Sequence, residues 1–209
     1  MIKTKEDLIH LILENPENYI EDMLPKPSLE KDIYLASRIL KLQWDRPFAD
    51  YSETQRVRSK INREFKLLDK KEKSKLNSFI TTIIGQGLPK NTFFSNADFE
   101  FDFKKNKFDL TLDDQDFKGK VFCLGTDEHY DYYVISPEFN GIRKVFHDQG
   151  SIEDIDFNNV NEFAKTVIKF ALIEGSLNKG LLEKSDVELL VSNITNIELQ
   201  RLVQELILN

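Results

Sequence analysis

The chain has a single cysteine, Cys123, among its 209 residues. That excludes an internal disulfide and any metal centre built on several thiolates. A reducing, cytoplasmic setting is the expectation. Histidine is also scarce. His10, His129 and His147 lie far apart, and neither their order nor their spacing suggests a catalytic triad. No apolar stretch approaches the roughly 18 residues of a membrane span. The apolar run over 8–13 is short and interrupted by His10, so neither a signal peptide nor a membrane span is expected. A phosphate-cradling loop is missing as well: Gly85-Gln86-Gly87 lacks the lysine and the further glycines.

What is present is a globular composition. Apolar residues make up 40%, adequate for a core, and charged residues 31%. The charge is uneven. Residues 1–90 carry 17 Lys and Arg against 14 Asp and Glu, whereas 91–209 carry 12 against 22. Most of that excess falls in 91–156, with 7 basic and 15 acidic residues. Such a surface repels nucleic acid and favours basic partners. A merely solubilising surface has the same composition.

The first 90 residues read as helical. Thr4 with Asp7, Asn15-Pro16 and Ser28 mark three starts, the third ahead of Leu29, Ile33, Ala36 and Ile39. Ser52 with Gln55 suggests a capping box before the face Val57, Ile61, Phe65, Leu68. Asp69 with Glu72 suggests another before Leu76, Phe79, Ile80, Ile83 and Ile84.

The period then changes from 3.6 to 2. Phe99, Phe101 and Phe103 alternate with acids, and Phe108, Leu110 and Leu112 alternate with Lys107, Asp109 and Thr111. This predicts two strands, buried on one face and wet on the other, joined as a hairpin through 104–106. Three β-type runs follow, at 121–124, 132–135 and 142–146. Asn140-Gly141 is the strongest local hairpin signal, since a type I′ turn needs positive φ at both centre positions. A helix is expected from about Asn159. Two shorter ones are expected behind Ser185 and behind Thr195 with Glu198. Helices, then a central antiparallel sheet of about five strands, then helices make an α+β protein. The expected division is a helical region over 1–86 packed on the sheet, an α+β core over 87–175, and a helical extension over 176–209.

Few residues suggest chemistry. Cys123 sits between Phe122 and Leu124 and reads as a buried, inert thiol. Asp127, His129 and Asp131 alternate, as metal ligands on an extended chain would, but they fall in an expected turn with no supporting cluster. No metal or cofactor is expected. Nine basic residues between Arg56 and Lys75 face three acids there, which suits a phosphate backbone or a solvated helix face. Tyr130, Tyr132, Tyr133 and Phe139 lie beside Asp127, Glu128 and Asp131. Tyrosine among carboxylates has the composition of a protein interface.

Several of these features occur in one order. Gly87-Leu88-Pro89 comes first, then a hydrophobic strand ending in Gly125-Thr126-Asp127. An aromatic strand at 132–135, a turn into a β-run over 141–146, and a helix from near Asn159 with Phe163 follow. In this order and spacing, over about residues 87–171, the chain resembles the SUKH superfamily, which includes many immunity proteins of bacterial toxin systems. The resemblance implies an α+β fold and a cytoplasmic, non-enzymatic protein that binds and neutralises a cognate toxin. It transfers no contact residues by motif. The acidic and aromatic residues alone suggest the binding surface: Asp113, Asp114, Asp116, Asp127, Glu128, Tyr130, Asp131 and Tyr132. A basic toxin is the expected partner, with no membrane and no nucleic acid. The alternative is a nucleic-acid-associated regulator using the basic helices around 56–75.

Overall fold

The structure, a computed structural model, describes residues 41–42, 51–80, 90–96, 102–155, 157 and 160–208. The helix starts expected at Thr4, Asn15 and Ser28 lie outside the described residues. So do Ile83, Ile84 and Asn159. The described chain is α+β, with helices α1 (Tyr51–Glu64), α2 (Lys70–Phe79), α3 (Val160–Asn178), α4 (Lys184–Asn193) and α5 (Ile197–Leu208). Seven short strands run β1 (Ser95–Asn96), β2 (Thr111–Leu112), β3 (Gln115–Asp116), β4 (Phe122–Thr126), β5 (Tyr132–Ser136), β6 (Phe139–Phe146) and β7 (Ser151–Asp154). The residues fall into two compact units. One holds those between 46 and 87 and between 94 and 163. The other holds 41–42, those between 88 and 93, and those from 164 onward.

The first unit is built on one sheet, ordered β1-β4-β5-β6-β7-β2-β3. β4 to β7 form an antiparallel meander. The sheet differs from expectation in two ways. Among the described residues it has seven strands rather than about five, and it is mixed, because β2 lies parallel to β7 with Thr111 opposite Ser151. Its central strands are also buried on both faces. Side chains alternate across a strand, so Cys123, Val134, Val145 and Ile152 share one side, where Phe103 and Leu110 cover them. Phe122, Leu124, Tyr133 and Ile135 take the other and are equally buried. There Tyr133 and Phe163 rings lie 4.9 Å apart, Phe94 and Phe163 5.4 Å, and Phe65 of the chain beyond α1 meets Phe122 at 5.6 Å.

Of the hairpin expected over 98–112, residues 98–101 lie outside the described residues; among the described ones Thr111–Leu112 is a strand, paired with β3 and β7. The chain does reverse at 102–108, where Phe108 N–H donates to Phe103 C=O at 2.7 Å. Phe103 and Leu110 are buried against the sheet.

Asn140-Gly141 is likewise not the hairpin turn. Ser136 pairs with Phe139, so Pro137-Glu138 makes the β5–β6 turn. Proline presets φ for a turn position, and Glu138 N–H donates to Ser136 Oγ at 3.1 Å. Gly141, with φ +75°, instead serves the register shift inside β6. Gly125 has a different constraint: a Cβ there would overlap the Phe94 ring and the Ser95 carbonyl of β1.

The caps divide similarly. Asp69 and Glu72 form the expected box, with Glu72 N–H donating to Asp69 Oδ1 at 2.8 Å. Ser52 stands inside α1 rather than before it. Glu183, not Ser185, precedes α4, and its N–H donates to Asp186 at 2.7 Å. Asn196, one residue past Thr195, caps α5 by accepting from Leu199 N–H at 2.8 Å.

In the second unit, Phe93 packs edge-on against Phe170 of α3 at 5.7 Å. Val187, Leu190 and Val191 of α4, and Leu199 and Val203 of α5, bury the apolar faces of those helices. The buried Glu174 carboxylate accepts from Thr92 N–H at 2.8 Å and from its hydroxyl at 2.9 Å.

Candidate functional site

The chain leaves β4 at Thr126 and re-enters the sheet at Tyr132, and residues 127–131 make a tight turn. Asp127 organises it. Its N–H donates to Asp131 C=O at 3.1 Å, and its C=O accepts from Tyr130 N–H at 3.1 Å. Its Oδ1 accepts from the N–H groups of His129 and Asp131, at 2.9 and 3.0 Å. An aspartate side chain that bonds its own backbone two residues on is a standard turn-former. Within this frame Tyr130 adopts φ +65° and is 73% exposed. A bulky residue at positive φ is strained and stays there only where its surroundings impose it.

A network of charges beneath the turn supplies those surroundings. Lys144 of β6 reaches under it, with Nζ 2.6 Å from Asp127 Oδ2 and 3.0 Å from Asp131 Oδ2. The same ammonium lies 4.8 Å from the centre of the Phe146 ring. Asp131 is buried, and its Oδ1 accepts from both the backbone N–H and the ring Nδ1 of His147, each at 3.0 Å. His147 Nε2 lies 2.8 Å from the exposed Asp148. Burial alone would push the Asp131 carboxyl up, but hydrogen bonds from His147 and Lys144 outweigh it and hold the group below its ordinary value. Burial would likewise pull Lys144 down, and its bonds to Asp127 and Asp131 raise it instead.

The eight suggested residues therefore divide. Asp113 and Asp114 are exposed in the β2–β3 turn, both at positive φ, and Asp116 is exposed on the outermost strand. Glu128 and Tyr130 are exposed on the β4–β5 turn. Asp127 and Asp131 point into the network. Tyr132 is half-buried, its ring 5.1 Å from Phe103 and 6.0 Å from Phe108. The two acidic groups do not share a strand pair: β6, β7 and β2 lie between β5 and β3.

Sequence reasoning missed Lys144. Its signal was available, since Ile142, Lys144 and Phe146 alternate onto one face, and a lysine between apolar neighbours needs a carboxylate partner. His147 holds Asp131 through its backbone N–H and its ring. Cys123 is fully buried, its Sγ donating to Gly125 C=O at 3.4 Å. On the basic helices, Arg63 and Lys120 pair with Glu64 at 3.1 and 3.2 Å, and Lys66, Lys70 and Lys71 are exposed. Among the described residues no three His, Cys, Asp or Glu side chains gather as metal ligands would. None of their helices is long and apolar enough to cross a membrane. Neither a known protein family, nor a curated protein, nor a solved structure matches the chain.

Proposed function

We propose that this is a non-enzymatic immunity protein, which binds and neutralises a cognate, basic bacterial toxin. One observation supports the reading most: Tyr130 is held out to solvent at positive φ, next to the exposed Glu128, on a turn fixed from below by Asp127, Asp131, Lys144 and the His147 ring. A rigid tyrosine loses little entropy on docking, and such residues dominate interface energetics. The exposed Asp113, Asp114 and Asp116 would add charge attraction, which acts chiefly on the association rate. The similarity to SUKH proteins in order and spacing of segments points the same way, as does the acidic 91–156 region. In this reading Asp127, Asp131 and Lys144 shape the surface and do not touch the toxin.

The test is co-expression with the toxic domain encoded beside this protein's gene, with affinity measured on the purified pair. Tyr130→Ala is expected to weaken binding by about 2 kcal/mol or more. Lysine at 113, 114 and 116 together is expected to slow association and abolish its salt dependence. Unchanged protection in both variants would remove this surface.

A second reading has its own support in the basic face of α2. Lys70 and Lys71 are exposed there, with Lys66 just before it. As a nucleic-acid-associated regulator, the protein would shift labelled duplex in a gel at low salt and release it steeply as salt rises. No shift at low salt would end that alternative.

A further inference from the structure

Two nitrogens of one imidazole face two carboxylates. Nδ1 of His147 lies 3.0 Å from Asp131 Oδ1, and Nε2 lies 2.8 Å from Asp148 Oδ1. A neutral imidazole has one N–H and one lone pair. In that form one of the two contacts would set a lone pair against a carboxylate oxygen. The Asp131 contact is a hydrogen bond and the Asp148 contact a close charge approach, and both are favourable together only when the ring carries both protons.

We propose that His147 is a proton-operated clamp: as an imidazolium it ties the β6–β7 corner to the β4–β5 turn, and losing a proton loosens the turn that presents Tyr130. Asp131 and Asp127 of the β4–β5 turn and Asp148 of the β6–β7 corner act on the ring, and Lys144 of β6 balances the first two. The charges order the loss. Asp148 is exposed, so its contact is screened by water, whereas Asp131 is buried and accepts from the His147 backbone as well. The Nε2 proton leaves first. The ring then keeps Nδ1–H on Asp131 as an uncharged donor, a weaker hydrogen bond than a charged one. Lys144 becomes the sole counter-ion for two carboxylates.

The bond to Asp131 is also the main cause holding the imidazole above its ordinary value; burial opposes it, and the charges of Asp148, Asp131 and Asp127 assist. A raised folded-state value means the clamp contributes fully below about pH 6.5, the unfolded value, and is lost as pH rises through the folded one. The consequence for partner binding rests on the function proposed above; the clamp itself does not.

The experiment uses the full chain alone. Imidazole nitrogen–proton correlation spectra and backbone amide exchange are followed from about pH 5.5 to 9, across the range where histidine switches. The expected result has three parts. His147 titrates above about 6.5, the midpoint of an unstructured histidine. Its neutral form is the Nδ1–H tautomer. The amides of His129, Asp131 and His147 lose protection in the same pH window, after correction for intrinsic exchange. Asp148→Asn, at an exposed position, lowers the midpoint. His147→Asn retains a donor near Nδ1 that never charges, so its protection becomes independent of pH. A midpoint at or below 6.5 overturns the proposal. So does protection that stays constant while the ring titrates, or an unchanged pH profile in His147→Asn. With the toxic domain added, wild-type affinity falls across that window and the His147→Asn affinity does not. Absence of binding at every pH would count against the toxin reading, while the titration and exchange results would still decide the clamp.

Discussion

Replacing Lys144 with methionine keeps most of the side chain's volume and removes its charge. Its two partners then face each other with only the His147 ring, on Asp131, left to balance them. Their Oδ2 atoms lie 2.6 and 3.0 Å from the same nitrogen, so they are within about 6 Å of one another. At an effective dielectric constant of about 20, two like charges at that separation repel by about 3 kcal/mol. The side chains are only 9% and 10% exposed, so water relieves little of this. Breaking a buried pair costs about 3–5 kcal/mol in general, and the lower part of that range is expected because Lys144 itself is 17% exposed. The pH dependence is the sharper test. Forcing a proton onto an ordinary carboxylate costs about 4 kcal/mol at pH 7 and about 1.5 kcal/mol at pH 5. The first exceeds the repulsion and the second does not. In Lys144→Met part of the deficit is therefore expected to return as pH falls from 7 to 5. In the wild type Asp131 runs the other way. Its lowered value means its stabilisation is complete above 3.8 and is lost as pH falls through the folded-state value. Urea titrations of both proteins at the two pH values, followed by circular dichroism, give the comparison. A deficit below about 1 kcal/mol that does not vary with pH is what a solvent-exposed pair gives, and it would refute the network.

Tyr130→Gly separates shape from contact. Glycine adopts φ +65° without strain, so stability by urea titration is expected within about 1 kcal/mol of wild type while partner affinity falls. Gly125→Ala forces a methyl group into the Phe94 ring and the β1 backbone. A loss of about 1–3 kcal/mol is expected, and an unchanged melting temperature would contradict the close approach of β1 to β4. Cys123, fully buried in an apolar core, is expected to resist a thiol reagent in the native state and to react on unfolding. Rapid native labelling would contradict that packing.

What could be read from the sequence was what the chain decides locally. β4, β5 and β6 were legible because β-branched and aromatic runs alternate with turn residues. The Asp69–Glu72 box was legible because both partners lie within one turn. The features missed depend on distant partners. That Thr111–Leu112 pairs in parallel with β7 depends on Ser151 and Ile152, some 40 positions on. The phenylalanine pattern at 99–103 cannot report that. Asn140-Gly141 lost the turn because Pro137 sits three residues earlier and sets the reversal first. At the site, Asp127 and Asp131 looked like surface acids because their counter-charge arrives from another strand. Only the placement of Lys144 between Ile142 and Phe146 hinted at it.

The parallel pairing of β2 with β7 also fixes an order of events. The β2–β3 hairpin is synthesised well before the strand it docks against. Until Ser151–Asp154 has joined β6, the hairpin has no edge to rest on, and Cys123, Val134 and Val145 lack Ile152 beside them. Contacts of such long sequence separation form late and slowly. The meander is expected to assemble first, and the hairpin then to add at the β7 edge. A chain stalled on the ribosome before β7 emerges would show the side bearing Cys123, Val134 and Val145 to any strand or chaperone nearby. For this protein, the hazardous moment is the last forty residues of sheet synthesis rather than the first.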